Sequence, residues 1–193
     1  MALKKGNEIA TIDVELVTIT ANVNGETIEL ALDTASQITV DPQISTQEPV
    51  QLIVKGALKA QKRGKNTLTG NKITLKDNVF NPELVMLLQG GEIEYDTDGT
   101  TIKKYTPPVA GESLDELPVF SLNTYSGQYD ASGLVVRHEK TTYPNCTGQP
   151  ISMSSEDNVF RAQSYTIDSA PAVGEAPYTI EYVDKLPTVT AAS

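Results

Sequence analysis

The sequence has no tryptophan, one cysteine (Cys146) and one histidine (His138) among 193 residues. A single cysteine excludes an internal disulfide, and with one histidine it leaves too few soft ligands for a zinc site. Sites made only of carboxylates stay open. No run approaches the roughly 18 apolar residues of a membrane-spanning helix, and the first residues lack the apolar run of a secretion signal. We therefore expect a protein that is made in a cytosol and has no membrane partner.

Helix-forming runs are also scarce, whereas Thr, Val, Ile and Tyr are plentiful, a composition typical of β proteins. The length suits one domain, residues 1–193, with a real hydrophobic core. Turn-rich segments separate strand candidates at 119–124, 133–138, 160–167 and 178–183. We predict a mainly β fold, a β-sandwich or partial barrel with one short helix.

The formal charge of −10 is unevenly placed, because residues 55–76 carry seven basic side chains and no acid. The acidic remainder argues against a protein that grips nucleic acid, since affinity for phosphate comes from Lys and Arg. Gly56 and Gly64 punctuate the basic stretch and favour an extended hairpin or loop around 55–70 over a helix. We predict a projecting basic arm.

The basic side chains of this arm are candidates for contact with the acidic surface of another copy of the chain. A solvated loop without a partner is the alternative. The candidate contact residues are Lys59, Lys62, Arg63 and Lys65.

The first hairpin is predicted from the Asn24-Gly25 pair, which suits a type I′ turn because both central residues need positive φ. The return strand is then 26–32, with Ile19 opposite Leu30. The apolar residues switch from even to odd positions along residues 11–21, which indicates a bulge near Leu16 and Val17.

The stretch "NVFNPELVMLLQGG" has the signals of a helix from Pro82 to Gln89. Asn81 is the N-cap and Pro82 the first helical residue, and glycines follow the apolar run. A helix of about eight residues is too short to stand alone, so its apolar side chains must pack on a sheet.

The stretch "IELALDTASQITVD" resembles the signature of an aspartic protease, with Asp33 as the catalytic carboxylate. That chemistry needs paired carboxylates on tight turns, and Ala35 stands where the turn normally has glycine. The other interpretation, which we favour, is that Asp33, Thr34 and Ser36 form a side-chain-bonded turn between strands.

Two further constellations have ordinary structural interpretations. Asp96, Asp98 and Gly99 show part of a calcium loop but lack its distant Glu, so a hairpin turn between strands at 92–95 and 101–105 is favoured. His138 and Cys146 could form a nucleophilic dyad if they met, but a packing Cys and a surface His are the more common outcome. We predict no catalytic, metal or cofactor site and no enzyme activity.

Residues 69–91, "TGNKITLKDNVFNPELVMLLQGG", resemble the central segment of the major tail tube proteins of phages and prophages of Gram-positive hosts. "YTPPVAGE" at 105–112 and "GEAPYTIEYVDKLP" at 174–187 add to the resemblance, which is weaker before Val50.

The resemblance implies a structural protein of the virion tail, assembled in the bacterial cytoplasm. It implies rings of six copies that stack into a tube around the tape-measure protein, with tail-completion proteins as further partners and DNA passing through transiently. An acidic channel wall would repel phosphates. Glu26 and Glu29 are the candidate channel-facing residues.

The alternative to a tube protein is a carbohydrate- or receptor-binding β domain. Such a domain would bind through Tyr-bearing loops such as "NTYSGQYDASG", residues 123–133. The hydrolase that uses Asp33 is the lesser alternative.

Overall fold

The protein is described by a computed structural model that covers residues 9–23, 25–111, 113 and 117–189. Within these residues the chain forms twelve strands and one short helix, so the mainly β prediction is confirmed. In chain order these are β1 (Thr11–Val23), β2 (Glu26–Leu32), β3 (Ala35–Thr46), β4 (Val50–Val54), β5 (Ala57–Lys62), β6 (Asn66–Asp77), α1 (Pro82–Gln89), β7 (Glu92–Tyr95), β8 (Ile102–Thr106), β9 (Phe120–Tyr129), β10 (Val135–Gly148), β11 (Gln163–Ser169) and β12 (Thr179–Val183).

Eight strands form one antiparallel sheet in the order β2-β1-β9-β10-β11-β6-β3, with β12 paired to β10 off this path. The long strand β10 divides the sheet. One edge of β10 pairs with β9. The other edge pairs with β12 from His138 to Thr142 and with β11 only from Cys146 to Gly148. Two separate hairpins, β4-β5 and β7-β8, complete the described strands.

The large sheet curls, because β1 and β3 come into contact although they lie near opposite ends of the strand order. The described strands form no closed barrel. The outer edge of β2 and the second edge of β12 pair with no other described strand. Open edges of this kind can accept a strand from another chain.

The core lies inside the curl and is closed by α1. The helix buries Leu84, Val85, Leu87 and Leu88. It packs closely on β10, because a Cβ on Gly148 would overlap the backbone of Leu88. Gly148 therefore sets how near the helix lies to the sheet.

The helix has the predicted limits and caps. The Asn81 Oδ1 accepts hydrogen bonds from the backbone N–H groups of Glu83 (3.0 Å) and Leu84 (3.1 Å). At the other end Gly90 has φ 79°, and its N–H donates to the Met86 carbonyl at 2.9 Å. The cap residues and the apolar run between them were enough to predict this element.

The strand pairing of the first hairpin is also confirmed, with Ile19 opposite Leu30. Asn24, on which the type I′ turn prediction rests, lies outside the described residues. The predicted bulge lies earlier, where the β1–β9 register shifts between Ile12 and Leu16. Asp13 has φ 65° there, a conformation that Asp tolerates better than a bulky residue. Leu16 is buried on the face opposite to Val17, so both faces of β1 carry apolar side chains here.

The later strands are longer or shifted relative to their predictions. β9 continues to Tyr129, β10 continues to Gly148, and β11 begins at Gln163 rather than at 160. The described part of the chain contains no helix with the length and apolarity that crossing a bilayer requires.

Candidate assembly surfaces

The arm, defined here as residues 43–70, is one long β-hairpin that leaves the sheet where β3 and β6 pair. Ile44 pairs with Leu68, the Gln47 N–H donates to the Lys65 carbonyl at 3.0 Å, and Val50 pairs with Lys62. Twelve residues run from Gln43 to Val54, so the arm is about 40 Å long at about 3.3 Å per residue.

One face of the arm carries large apolar side chains that remain in solvent. Alternation along the outgoing strand places Ile44, Val50 and Leu52 on the same face, and each is more than half exposed. All residues of β4 and β5 are exposed. A two-stranded ribbon is marginally stable by itself, and a contiguous exposed apolar surface marks an interaction site.

The four predicted contact residues all lie on this arm. The side chains of Lys59, Lys62, Arg63 and Lys65 are exposed there. The arm therefore combines apolar and basic groups at a distance from the core, and whether these four residues touch another copy remains a prediction.

A second feature lies at the open edge of β2. A cavity of about 690 Å³, called the β2 cavity here, opens between β2, α1 and the end of β7. Its apolar lining includes Val23, Ile28, Leu30, Met86 and Leu87. No residue of the arm lines it.

The polar part of the β2 cavity is acidic. Glu29 and Glu83 both line it, together with Tyr95. The Tyr95 hydroxyl donates to Glu83 Oε1 at 3.2 Å. Burial, followed by the charge of Glu83, raises the pKa of Tyr95. The phenol therefore stays a donor and holds the Glu83 carboxylate at the rim.

Glu26 and Glu29, the candidate channel residues, are both exposed on β2. Alternation places them on opposite faces of the strand. Glu29 pairs with Thr20 and so shares the face of Thr18. On that face Asn123 donates to Thr18 Oγ1 at 3.2 Å and accepts from Thr142 Oγ1 at 2.7 Å. This sheet face is polar and internally hydrogen-bonded.

The protease motif forms a bend between β2 and β3, as the turn interpretation predicted. Asp33 is exposed. Thr34 Oγ1 donates to Asp77 Oδ1 at 2.5 Å, and the Asn78 N–H donates to the Thr34 carbonyl at 3.2 Å. The hydrogen bond between the Thr34 and Asp77 side chains joins the bend to the end of β6. The turn is therefore held by Asp77 rather than by the carboxylate of Asp33. Asp77 is fully buried, and sequence reasoning missed it.

The Cys146–His138 dyad does not form. Both residues lie on β10, eight positions apart, a distance of about 25 Å along a strand. Cys146 is buried in the core, where burial raises the pKa of its thiol to about 12. His138 Nδ1 instead lies 2.6 Å from Glu15 Oε2.

The "DTDG" stretch is a hairpin turn, as predicted. Asp98 Oδ1 accepts from the backbone N–H groups of Thr100 (3.0 Å) and Thr101 (2.8 Å), and its second oxygen accepts from Thr101 Oγ1 at 2.5 Å. Among the described residues, no group of three or more His, Cys, Asp or Glu side chains is placed to hold a metal ion.

The tyrosines proposed for a binding loop are part of strand β9. Tyr125 is buried, and the Tyr129 hydroxyl donates to Glu15 Oε1 at 3.4 Å. Only residues 130–133 of that segment form the connecting turn, which Asp130 closes by accepting from the Ser132 and Leu134 N–H groups. The expectation of Tyr-bearing loops was wrong for this segment, because the alternating residues pair into the sheet.

Comparison with known proteins gives little. No family model matches the sequence, and no curated protein matches it. A chain of the anti-feeding prophage (AFP) baseplate, from a six-fold symmetrised cryo-EM structure, is similar over 95% of this chain and 95% of its own length. The TM-score is 0.31 and the sequence identity 11%. At that TM-score the likeness carries no argument about fold or function.

Proposed function

We propose that this chain is a structural subunit of a phage tail or tail-like particle and, more finely, a tail tube subunit whose rings of six copies stack into a hollow tube. The observation that supports this most is the arm, about 40 Å of apolar and basic hairpin that the described part of its own chain leaves exposed. The sequence resemblance of residues 69–91 is the second support.

The surfaces that the fold leaves open support the proposed self-assembly. The arm and the acidic body of the chain are different surfaces, so their contact is head-to-tail. Such a contact closes into a ring when the rotation allows it and otherwise propagates. The open edges of β2 and β12 offer further places for strand addition between copies.

The tube would conduct DNA through an acidic channel. A wall with net negative charge repels phosphates, and screening at physiological salt limits this repulsion to about 8 Å. Glu26 and Glu29 remain the proposed channel residues. Since they lie on opposite faces of β2, a wall formed by one sheet face receives only one of them.

The partners of such a subunit are other copies of itself, the tape-measure protein that the tube encloses, and tail-completion proteins. Its location is the virion tail, after assembly in the host cytoplasm. DNA is a transient and non-specific passenger.

The test is negative-stain microscopy of the purified chain over a concentration series, with light scattering for mass. The matched variant replaces residues 49–63 by two glycines, which removes the outer part of the arm, with β4 and β5, but keeps every residue of the buried core. We expect rings or hollow tubes from the unmodified chain and a folded monomer from the variant. Assembly that survives loss of the arm would contradict the proposal that the arm drives it.

A further inference from the structure

We propose that the β2 cavity is the receptor for the arm tip of a second copy of this chain, an inference that rests on the proposed self-assembly. The tip residues Ile53 and Leu58 would fill the cavity, and lysines beside them would meet the acidic rim. The two features lie in one chain but do not touch each other there.

The β2 cavity has the composition of an unfilled interface. Its wall continues the core side of β2, since Ile28 and Leu30 belong to the face that packs against the core. Val23 and Met86 are half-buried beside them. The core is therefore open at this edge, and apolar side chains from outside would complete it.

The arm tip has matching apolar chemistry. Ile53 and Leu58 are cross-strand partners and are 58% and 55% exposed. The next pair of the ladder, Val54 and Ala57, is exposed as well. Side chains this large leave water only when a partner covers them, and their burial is favourable.

The charges select the arm over other exposed apolar segments. Lys55 lies in the turn of the apolar tip and Lys59 follows Leu58, whereas Glu29 and Glu83 stand at the cavity rim. Complementary charge fixes the orientation of an interface and excludes wrong partners. Phe160, which is 96% exposed, is the strongest competing apolar group.

One consequence concerns the channel. If Glu29 meets a lysine of the arm, it belongs to a subunit contact and not to the wall that DNA passes. The predicted channel role then falls to Glu26 alone, the candidate that does not line the cavity.

The test is disulfide trapping between two differently tagged copies, one with Leu58→Cys and the other with Met86→Cys. Cys146 is buried and does not compete. Each variant is first shown to assemble as the unmodified chain does. We expect a mixed disulfide-linked dimer after mild oxidation of the co-assembled sample. The control pairs Phe160→Cys with Met86→Cys, and we expect no link.

The outcomes separate the two proposals. Rings or tubes that give no link between Leu58→Cys and Met86→Cys overturn the receptor assignment and leave the tube intact. A disulfide between Phe160→Cys and Met86→Cys instead assigns the cavity to the loop that carries Phe160. That result also overturns the proposal that the cavity receives the arm. An unmodified chain that stays monomeric at every concentration overturns the tube and, with it, the receptor.

A charge-reversal series gives a second measurement that needs no cysteine. Glu83→Lys should raise the concentration at which assembly begins by roughly tenfold, because two like charges then meet at the rim. Adding Lys59→Glu to the same chain should restore most of the loss. An unchanged threshold in the single variant, or no recovery in the double variant, would overturn the assignment.

Discussion

At the residue scale, short polar side chains fasten the ends of strands. Asp77, Asp98 and Asp130 each accept hydrogen bonds at a strand end or turn. At Asp98 and Asp130 these bonds lower the pKa of the carboxyl group and so favour its ionised form. The acidic residues that resembled a calcium loop are explained by this local structural role.

Asp98 allows a direct test of this role. Its hydrogen bonds, first that from the Thr101 side chain, lower its pKa from 3.8 to about 2. Because the folded-state pKa is depressed, its stabilisation is present above pH 3.8 and is lost as the pH falls toward 2. Thr101→Ala should raise the pKa of Asp98, measured by carboxyl ¹³C titration. Thr97→Ala leaves these bonds in place and should leave the value unchanged.

Cys146 should be inert while the protein is folded. Raising its pKa from 9.0 to about 12 lowers the thiolate fraction at pH 8 by roughly two to three orders of magnitude, and its side chain has no solvent access. We expect no reaction with a disulfide reagent in buffer and complete reaction in denaturant. Ser154→Cys, at an exposed position, provides the reactive control. Prompt labelling of Cys146 in the folded chain would contradict its burial.

At the scale of elements, α1 depends on one glycine of the strand beneath it. Any Cβ at Gly148 would overlap Leu88, so Gly148→Val must push the helix away from β10. We expect a loss of about 1–3 kcal/mol in the free energy of unfolding, measured by urea denaturation. Ala172→Val adds comparable bulk at an exposed position and should change stability by less than about 0.5 kcal/mol.

Elements with local signals were predictable from the sequence, and elements set by distant partners were not. The limits of α1 follow from Asn81, Pro82 and Gly90, and the first hairpin follows from its two-residue turn. The extension of β10 to Gly148 depends on β9, β11 and β12, so turn-like residues such as Pro144 were misleading. The basic arm could be predicted from the charge of its sequence. Its apolar face and the β2 cavity could not, because they depend on the strand register and on the curl of the sheet.

At the scale of the whole molecule, opposite charges are separated between the arm and the body. If their attraction assembles the tube, raising the salt from 0.15 to 1 M shortens the screening length from about 8 to about 3 Å and should weaken assembly. We expect a higher assembly threshold in the concentration series at 1 M salt. A chain with Lys59, Lys62, Arg63 and Lys65 all changed to Gln should show a high threshold at both salt concentrations.

The proposed DNA channel gives a prediction for complete particles. Glu26→Lys and Glu29→Lys, made separately, test which face of β2 meets the channel. The receptor assignment leads us to expect that Glu26→Lys slows DNA ejection because phosphates are attracted to the wall, whereas Glu29→Lys acts on assembly. Ejection is followed by dye uptake from released DNA. Unchanged ejection in particles that carry Glu26→Lys would remove that residue from the wall.

The pairing of β1 with β9 also sets the order of events during synthesis. Ile19 lies opposite Leu122, about a hundred residues later, so at about 5–20 residues per second β1 waits for roughly 5–20 s on the ribosome. The arm, at residues 43–70, is complete well before β9 is made. During that interval the nascent chain displays an adhesive hairpin while the acidic cavity that would receive it is still unformed. If the arm meets this cavity during assembly, two nascent chains on one polysome cannot join through it until the sheet of one of them has closed.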